Sequence, residues 1–473
     1  MRPQLILDCG GRVFSALFVT NDGEVVPCSQ EIRQVAARHV SNDILFEPRV
    51  VQDRDFIWED ALETLARSNA PSFFQRARRF GLRRPWDQAS ADALQLASPF
   101  SVLSSPAAIA DRTIGAHLPR VALALLDALL EPAFAFVAER GLAPGDVDLV
   151  IVLPAQAGRH ARLVLQKLVR RRGFRRLLLV EREIAAAMAL AAQAPCACIV
   201  VETSETDLHL HRVVIDGDPA SPRFRTAASA TLASVGWNHW SGRIAEALRM
   251  TPSAAFERSL TTFLTGSPDS LPLRVAHDVL HSALDDAWVD AQALSLDESL
   301  RALGGEHLPL IFVGELFTID AVRKAFGAPH ARAPLLDQEL RNVAVALRSP
   351  FVLAPSGSLR VNTFDGETIE LLPHAQLPAS GESCHVETNL RLGGDRTAGK
   401  TFLMHLLWGS DRAAEGNATL SAVPVELREH EQLRLTVHLR RRGPRLHGTL
   451  EVRMPRDVVV AQARFAEQLE EVR

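Results

Sequence analysis

The sequence contains no tyrosine, and lysine is almost absent, since the basic residues are nearly all arginine. The lysines are Lys167, Lys324 and Lys400, which leaves few candidates for a catalytic lysine. The 52 basic and 56 acidic residues nearly balance and form neither a basic stripe nor a polybasic segment. We therefore expect no nucleic acid and no membrane surface among the partners of this protein.

Cysteine is scarce and unevenly placed. The five cysteines are an odd number without zinc-ligand spacing: Cys9, Cys28, Cys196, Cys198 and Cys384. This usage indicates a reduced compartment. Cys196 and Cys198 form either a redox pair or two buried thiols on one strand, and we favour the buried thiols.

Long uncharged apolar runs are also missing. The N-terminal apolar run is too short for a signal peptide. The most apolar helix, predicted at about residues 117–140, carries Asp127 and Glu131, which excludes a membrane span. We expect a cytoplasmic protein.

The chain of 473 residues is long enough for two to four domains, and its first 350 residues contain one α/β scheme twice. Each copy begins with a β-meander and continues as alternating helices and strands. The lobes are predicted at about 1–195 and 196–350, and the segments in equivalent places are VDLVIVLPAQAGRHARLVLQKL and LPLIFVGELFTIDAVRKAF. A duplicated lobe implies a ligand cleft between the copies.

After Pro350 the pattern changes to short β-type runs separated by turn residues. Residues 351–357 are predicted to form a linker, and residues 358–455 a small all-β sandwich. A short helix is predicted over residues 456–473.

The stretch GDRTAGKT, residues 394–401, matches the phosphate-loop pattern G-x-x-x-x-G-K-[ST]. A working phosphate loop opens a helix within a parallel sheet. This match instead lies among β-type runs, with too few residues after it for the remaining strands and helices. We interpret it as a chance match on a hairpin loop.

The order of these parts resembles the 70-kDa heat-shock chaperone family (DnaK-like). LILDCGG resembles the first phosphate hairpin of the family, REIAAAMAL its connecting helix, FVGELFTIDAVRKAFG its adenosine-side turn, and MHLLWGS a strand end of its sandwich. The resemblance implies duplicated actin-like (ribonuclease H-like) ATPase lobes followed by a β-sandwich, with ATP and magnesium as the cofactors of the family.

The nucleotide motifs of the family are degenerate in this chain. The resemblance assigns a vestigial nucleotide site to seven residues: Asp8, Gly10, Gly11, Arg12, Glu202, Gly236 and Gly314. Arg12 replaces a small polar residue, and the glycine-rich second phosphate turn becomes Glu202 to Asp207 without any glycine. Phosphate-binding turns need glycines so that the backbone can approach oxygen closely. Ala77 stands at the position of the family's catalytic lysine. We therefore expect no catalytic residues and doubtful binding of ATP.

Other candidates lie outside these motifs. His209 and His211 alternate on one strand face and could bind a metal, but without a third ligand in view we favour two paired strand histidines and expect no metal site. In the sandwich, the resemblance places Phe364, Phe402 and Met404 in a groove for apolar peptides; plain sandwich core is an equal alternative.

The sequence thus favours a chaperone-like protein with weakened or lost ATP hydrolysis, which binds apolar peptide segments or a protein partner as an adaptor or holdase. Two alternatives remain open at this point. One is an active ATPase of the same family, in which Arg12 and Glu205 act in a new geometry. The other is an actin-like assembly or scaffold protein.

Overall fold

A computed structural model describes about half of the chain in detail. The described residues are 2–9, 15–28, 118–154, 157, 159–204, 207–232, 235–250, 256, 260, 295–305, 307–318, 338–353, 358–362, 368–373, 383–390, 403–409, 416–421, 433–442, 445–453, 457–468 and 471–472. They group by contacts into two compact units. The first contains residues 1–215 and 229–349, and the second contains residues 216–228 and 350–473.

The first sheet of unit 1 has the strand order β3-β2-β1-β4-β5. Its strands are β1 (Gln4–Asp8), β2 (Ser15–Val19), β3 (Val25–Pro27), β4 (Asp148–Leu153) and β5 (Arg176–Glu181). The first three pair antiparallel, while β1, β4 and β5 run parallel. Because β1 and β4 are central, every residue of these two strands is buried, as expected for strands covered on both faces.

Two helices alternate with these strands along the chain, as predicted from the sequence. Helix α1 spans Leu118–Glu139, and helix α2 spans Arg159–Arg171. The buried Asp127 of α1 accepts hydrogen bonds from Arg172, the residue after the end of α2. The distance between Oδ1 of Asp127 and Nη2 of Arg172 is 2.6 Å. In the part of the chain that the structure describes, no helix is both long and apolar enough to cross a bilayer.

The second sheet of unit 1 repeats the arrangement of the first. Helix α3 (Arg182–Ala187) and a 3-10 helix (Met188–Gln193) lead into β6 (Cys196–Thr203), β7 (Leu208–Asp218) and β8 (Ser221–Leu232), and β9 is Leu310–Val313. These four strands have the order β8-β7-β6-β9 within a six-stranded sheet, with β6 antiparallel to β7 and parallel to β9. Each sheet therefore has a meander whose first strand pairs in parallel with a later strand, which is compatible with the expected duplicated α/β lobes.

Two further helices belong to unit 1. Helix α4 spans Trp237–Ala247, and helix α5 spans Gln338–Ala346. Helix α5 contacts α3 and β1, and Asn342 donates a hydrogen bond to the carbonyl of Ala186 at 3.3 Å. These contacts hold α3 in place against the polar groups described below.

Unit 2 contains the residues after Ser349 and the tip of the β7–β8 hairpin. The predicted linker is partly a strand, because β10 (Val352–Leu353) pairs in parallel with β8 and antiparallel with β19 (Glu471–Val472). One antiparallel sheet has the order β12-β11-β14-β15, formed by β11 (Ser358–Asn362), β12 (Thr368–Pro373), β14 (Leu403–Gly409) and β15 (Gly416–Ser421).

The other antiparallel sheet of unit 2 has the order β13-β16-β17-β18. Its strands are β13 (Ser383–Leu390), β16 (Leu433–Arg442), β17 (Arg445–Arg453) and β18 (Val459–Gln468). The predicted helix over residues 456–473 is wrong, because this segment forms β18 and β19. Apolar residues alternate with Gln462 and Arg464 at a period of two, which suits a strand paired with β17 along nine positions.

Candidate functional site

A cluster of buried charged side chains lies within unit 1, at the ends of elements from both sheets. Asp8 is the last residue of β1, Arg182 is the first residue of α3, and Glu202 is near the end of β6. All three side chains are nearly inaccessible, with residue exposures of 4%, 5% and 2%. The first and third are the carboxylates that the sequence assigned to the vestigial nucleotide site.

The guanidinium of Arg182 lies between these two carboxylates. Its Nη2 is 3.4 Å from Oδ2 of Asp8, and its Nη1 is 4.0 Å from Oε1 of Glu202. The two carboxylates come from different sheets, so Arg182 connects the two halves of unit 1 through charge. In the sequence, Arg182 begins the REIAAAMAL segment that resembles the connecting helix of the family, and its position between the two carboxylates was not predicted.

The chain of polar contacts continues through His211 on β7. Its Nδ1 is 3.6 Å from Oε1 of Glu183 and its Nε2 is 4.0 Å from Oε2 of Glu202. The same Nδ1 is 2.9 Å from the hydroxyl of Ser229 on β8. His209, two residues earlier on β7, lies 3.2 Å through Nδ1 from the hydroxyl of Thr231.

The energetics of this cluster depend on its burial. Removing a charge from water costs free energy unless a partner of opposite charge compensates it. When one partner of a buried pair is removed, the other charge carries its full desolvation cost. Arg182 therefore reduces the cost of burying Asp8 and Glu202. Without it, the region between the two carboxylates would lose the positive charge of the guanidinium, and an excess of negative charge favours binding of a divalent cation.

Glu183, Glu202 and His211 also come nearest to a metal-ligand set among the residues that the structure describes. Their ligand atoms all lie within 4.8 Å of one another. Ligand atoms of a tetrahedral zinc site are separated by roughly 3.4 Å, given bonds of about 2.0–2.1 Å. The imidazole, moreover, directs its two nitrogens toward different carboxylates. The geometry is that of an ion-pair network around His211.

Ser204 and Asp207, in the turn between β6 and β7, form hydrogen bonds with each other through their backbone amides. The N–H of Ser204 donates to the carbonyl of Asp207 at 2.8 Å, and the N–H of Asp207 donates to the Ser204 hydroxyl oxygen at 3.0 Å. The carbonyl of Ser204 accepts from the N–H of Trp237 at 2.9 Å. The amides of Ser204 and Asp207 therefore point into the turn, whereas a phosphate cradle needs amides directed at the ligand.

The two glycines of the predicted site that the structure describes have different roles. Gly314 follows β9 with φ +114, and a Cβ built there would lie 2.3 Å from Oγ1 of Thr203. Glycine is therefore required for the close approach of this turn to the end of β6. Gly236 precedes helix α4 in an extended conformation, with φ −78 and ψ −175, so its geometry does not demand glycine.

Several predicted residues lie outside the described part of the chain. These are Gly10, Gly11, Arg12, Ala77, Glu205, Phe364, Phe402 and the whole GDRTAGKT stretch. Met404 belongs to β14, where it is paired with Leu420 of β15.

The two neighbouring cysteines on β6 have weakly acidic thiols. Burial raises the pKa of the Cys198 thiol to about 12, with a further contribution from Cys196, and burial also raises the pKa of Cys196. Burial beside Asp8 raises the pKa of Cys9 as well. Since the thiolate is the reactive form, these pKa shifts favour the interpretation of Cys196 and Cys198 as structural thiols.

Comparison with known proteins adds little. No family model matches the sequence, and no curated protein matches it. Among solved structures, the ethanolamine utilization protein EutJ from Carboxydothermus hydrogenoformans aligns with a TM-score of 0.35 and 14% sequence identity. The alignment covers 73% of this chain and 90% of that chain. At this TM-score the likeness is too distant for any property of EutJ to be carried over.

Proposed function

We propose that this chain is a chaperone-like binding protein of the actin-like ATPase type that has lost efficient ATP hydrolysis. It holds apolar peptide segments or a protein partner and acts as an adaptor or holdase. The observation that carries the proposal is the position of Arg182 between Asp8 and Glu202. A guanidinium at that point replaces the magnesium ion that a nucleotide would need.

The argument rests on charge. Magnesium is held in phosphate-transfer sites by one or two carboxylates together with phosphate oxygens. Two cations cannot share the buried space between Asp8 and Glu202 without strong repulsion, which is about 4 kcal/mol for unit charges 4 Å apart at an effective dielectric of 20. Because Arg182 is covalently attached, it loses no translational freedom when it occupies this position, which favours it over a free ion.

The β6–β7 turn supports the same conclusion independently. The amides of Ser204 and Asp207 are engaged within the turn, and Asp207 adds a carboxylate close to where a terminal phosphate would lie in the family. A triphosphate would have to break these hydrogen bonds and still lack a glycine-rich cradle.

A divalent ion provides the direct test of the role of Arg182. Thermal unfolding of the wild type should be insensitive to Mn²⁺, whereas Arg182→Gln should gain stability with rising Mn²⁺, because Asp8 and Glu202 would lose their counter-charge. Arg182→Lys keeps the charge and serves as the control that should stay insensitive. A wild-type protein that is stabilised by Mn²⁺, and loses the effect in Asp8→Ala, would contradict the proposal.

The binding half of the proposal concerns β14. The run Phe402–Trp408 is apolar on both strand faces, which suits either a buried strand or one face open to an apolar ligand. Fluorescence anisotropy of a labelled apolar peptide should show binding that Met404→Glu weakens. The control is Val458→Glu, which adds the same charge at a residue 55% exposed in the same unit. Equal affinity in the two variants would refute the assignment of the peptide site to β14.

A further inference from the structure

One face of the sheet β13-β16-β17-β18 in unit 2 collects positive charge around a cavity of about 710 Å³. The charged and imidazole side chains that line it are His385, His438, Arg440, Arg442, His447 and Arg464. Among the described residues that line the cavity there is no aspartate or glutamate. Its volume lies within the range of about 300–1,000 Å³ that is usual for small-molecule sites.

The strand register explains why these side chains converge. His438, Arg440 and Arg442 are two residues apart on β16 and therefore share one face. His438 is paired with His385 of β13 on one side and with Thr449 of β17 on the other, and Thr449 is paired with Arg464 of β18. These four residues form a row across the sheet.

A second row runs beside the first. Arg440 is paired with Ser383 of β13 and with His447 of β17. The two rows are about 6.6–6.8 Å apart along the strands, and neighbouring strands are about 4.7–4.9 Å apart. The face thus presents guanidinium, imidazole and hydroxyl groups over a patch of roughly 14 Å.

The opposite face of the sheet belongs to the core. Leu435, Val437 and Leu439 of β16 are buried, as are Leu446 and Val452 of β17, with exposures of at most 1%. His438, Arg440, Arg442, His447 and Arg464 are by contrast exposed. The basic groups are therefore held by a firm sheet while remaining accessible.

The acidic groups on the same face, Glu387 and Glu451, lie one row away from His438. Glu451 accepts hydrogen bonds from Arg453 at 2.5 Å and from Gln462 at 2.8 Å, and it lies 3.7 Å from Nε2 of His438. Glu387 is exposed at the position across β16 from Glu451, since both are paired with Thr436. Among the described residues, no ion pair joins Arg440, Arg442 or Arg464 to a carboxylate.

We propose that this basic cavity binds a small organic polyanion that carries two or more phosphate groups. Guanidinium groups form bidentate hydrogen bonds with phosphate oxygens, and these charge-assisted bonds are stronger than neutral ones. Three guanidiniums on three successive rows, with Arg442 on the row of Arg445, match several anionic groups better than a single one. Ser383 and Thr449 add hydroxyl groups for the uncharged part of the ligand.

Calorimetric titration with pyrophosphate, without added metal, tests the proposal on the full chain. The wild type should bind pyrophosphate, and both Arg440→Ala and Arg464→Ala should weaken binding by at least about tenfold. Arg434→Ala is the matched control. It removes the same charge from β16, but Arg434 is paired with Asp457 outside the cavity, so its affinity should equal that of the wild type. Because the substituted side chains are exposed, thermal unfolding should show that all variants fold.

The remaining outcomes decide the ligand class and the location. Citrate at equal ionic strength should bind more weakly than pyrophosphate, and tighter binding of citrate would overturn the assignment to phosphates. An equal loss of affinity in Arg434→Ala would show that binding depends on the overall positive charge of the protein, and would also overturn the proposal. If pyrophosphate binding is retained in Arg440→Ala and Arg464→Ala but lost in Asp8→Ala, the binding site lies in unit 1. That result would also contradict the proposed loss of the nucleotide site.

Discussion

At the scale of single residues, Arg182 is the cation that lies between two buried carboxylates of unit 1. Its side chain is 6% exposed and faces carboxylates of 5% and 3% exposure. The resemblance to the chaperone family assigned Asp8 and Glu202 to the vestigial nucleotide site. It could not locate the partner of either carboxylate, since Arg182 reaches them only after the two sheets pack on each other.

The buried Arg182 and the half-buried Arg162 provide a matched comparison. Arg182→Gln should lower the free energy of unfolding by roughly 3–5 kcal/mol, because it removes the buried guanidinium that faces both carboxylates. Arg162→Gln removes a half-buried ion pair with Glu181, whose atoms are 2.7 Å apart, and should cost about 0–1 kcal/mol. Urea unfolding of the two variants measures both values. Equal costs would show that Arg182 does not compensate buried charge.

Gly314 makes a second residue-scale prediction. Gly314→Ala should destabilise the protein by about 1–3 kcal/mol, since φ is +114 and the new Cβ would contact Oγ1 of Thr203 at 2.3 Å. The control is Gly242→Ala within helix α4, where no atom lies within 4 Å of the new Cβ. That change should stabilise by about 0.4–1 kcal/mol. The midpoint of thermal unfolding should therefore fall in Gly314→Ala and rise in Gly242→Ala.

At the scale of elements, the C-terminal segment shows where the sequence misleads. Its alanines, glutamates and glutamine are good helix formers, which favoured a helix over residues 456–473. The alternation of polar Gln462 and Arg464 with apolar neighbours was the contrary signal. The segment forms the strand β18 because pairing with the open edge of β17 satisfies the backbone hydrogen-bonding groups of both strands.

The contact between β17 and β18 makes stability depend on pH. Hydrogen bonding to Arg453, and then to Gln462, lowers the pKa of Glu451 below its ordinary value of 4.5. A carboxyl with a lowered folded-state pKa stabilises above its unfolded pKa and loses this contribution as the pH falls through the folded pKa. Glu451→Gln should therefore be less stable than the wild type at neutral pH, and the difference should shrink below about pH 4.5.

Urea unfolding across the acidic range, with the double variant Glu451→Gln and Arg453→Met, checks the origin of this effect. In the Arg453→Met background, Glu451→Gln should change stability little at any pH. A difference that persists unchanged below the pKa of a carboxyl would mean that the charge of Glu451 is not responsible.

At the scale of the whole molecule, the sequence predicted the repeated meander and the alternating elements of unit 1, because long buried strands and an amphipathic helix such as α2 have strong periodicity. It also predicted short strands after Pro350. It missed the charged network and the basic cavity, since both depend on register and packing. The spacing of His438, Arg440 and Arg442 was a visible signal, because residues two apart on a strand share a face.

The central claim is that the protein's own guanidinium has replaced the metal and nucleotide chemistry of the cleft. Steady-state release of phosphate from Mg-ATP tests this claim most directly, measured on the wild type and on Asp8→Ala. The account predicts equal release from the two proteins at the level of buffer alone. Release by the wild type that exceeds this level and disappears in Asp8→Ala would contradict it.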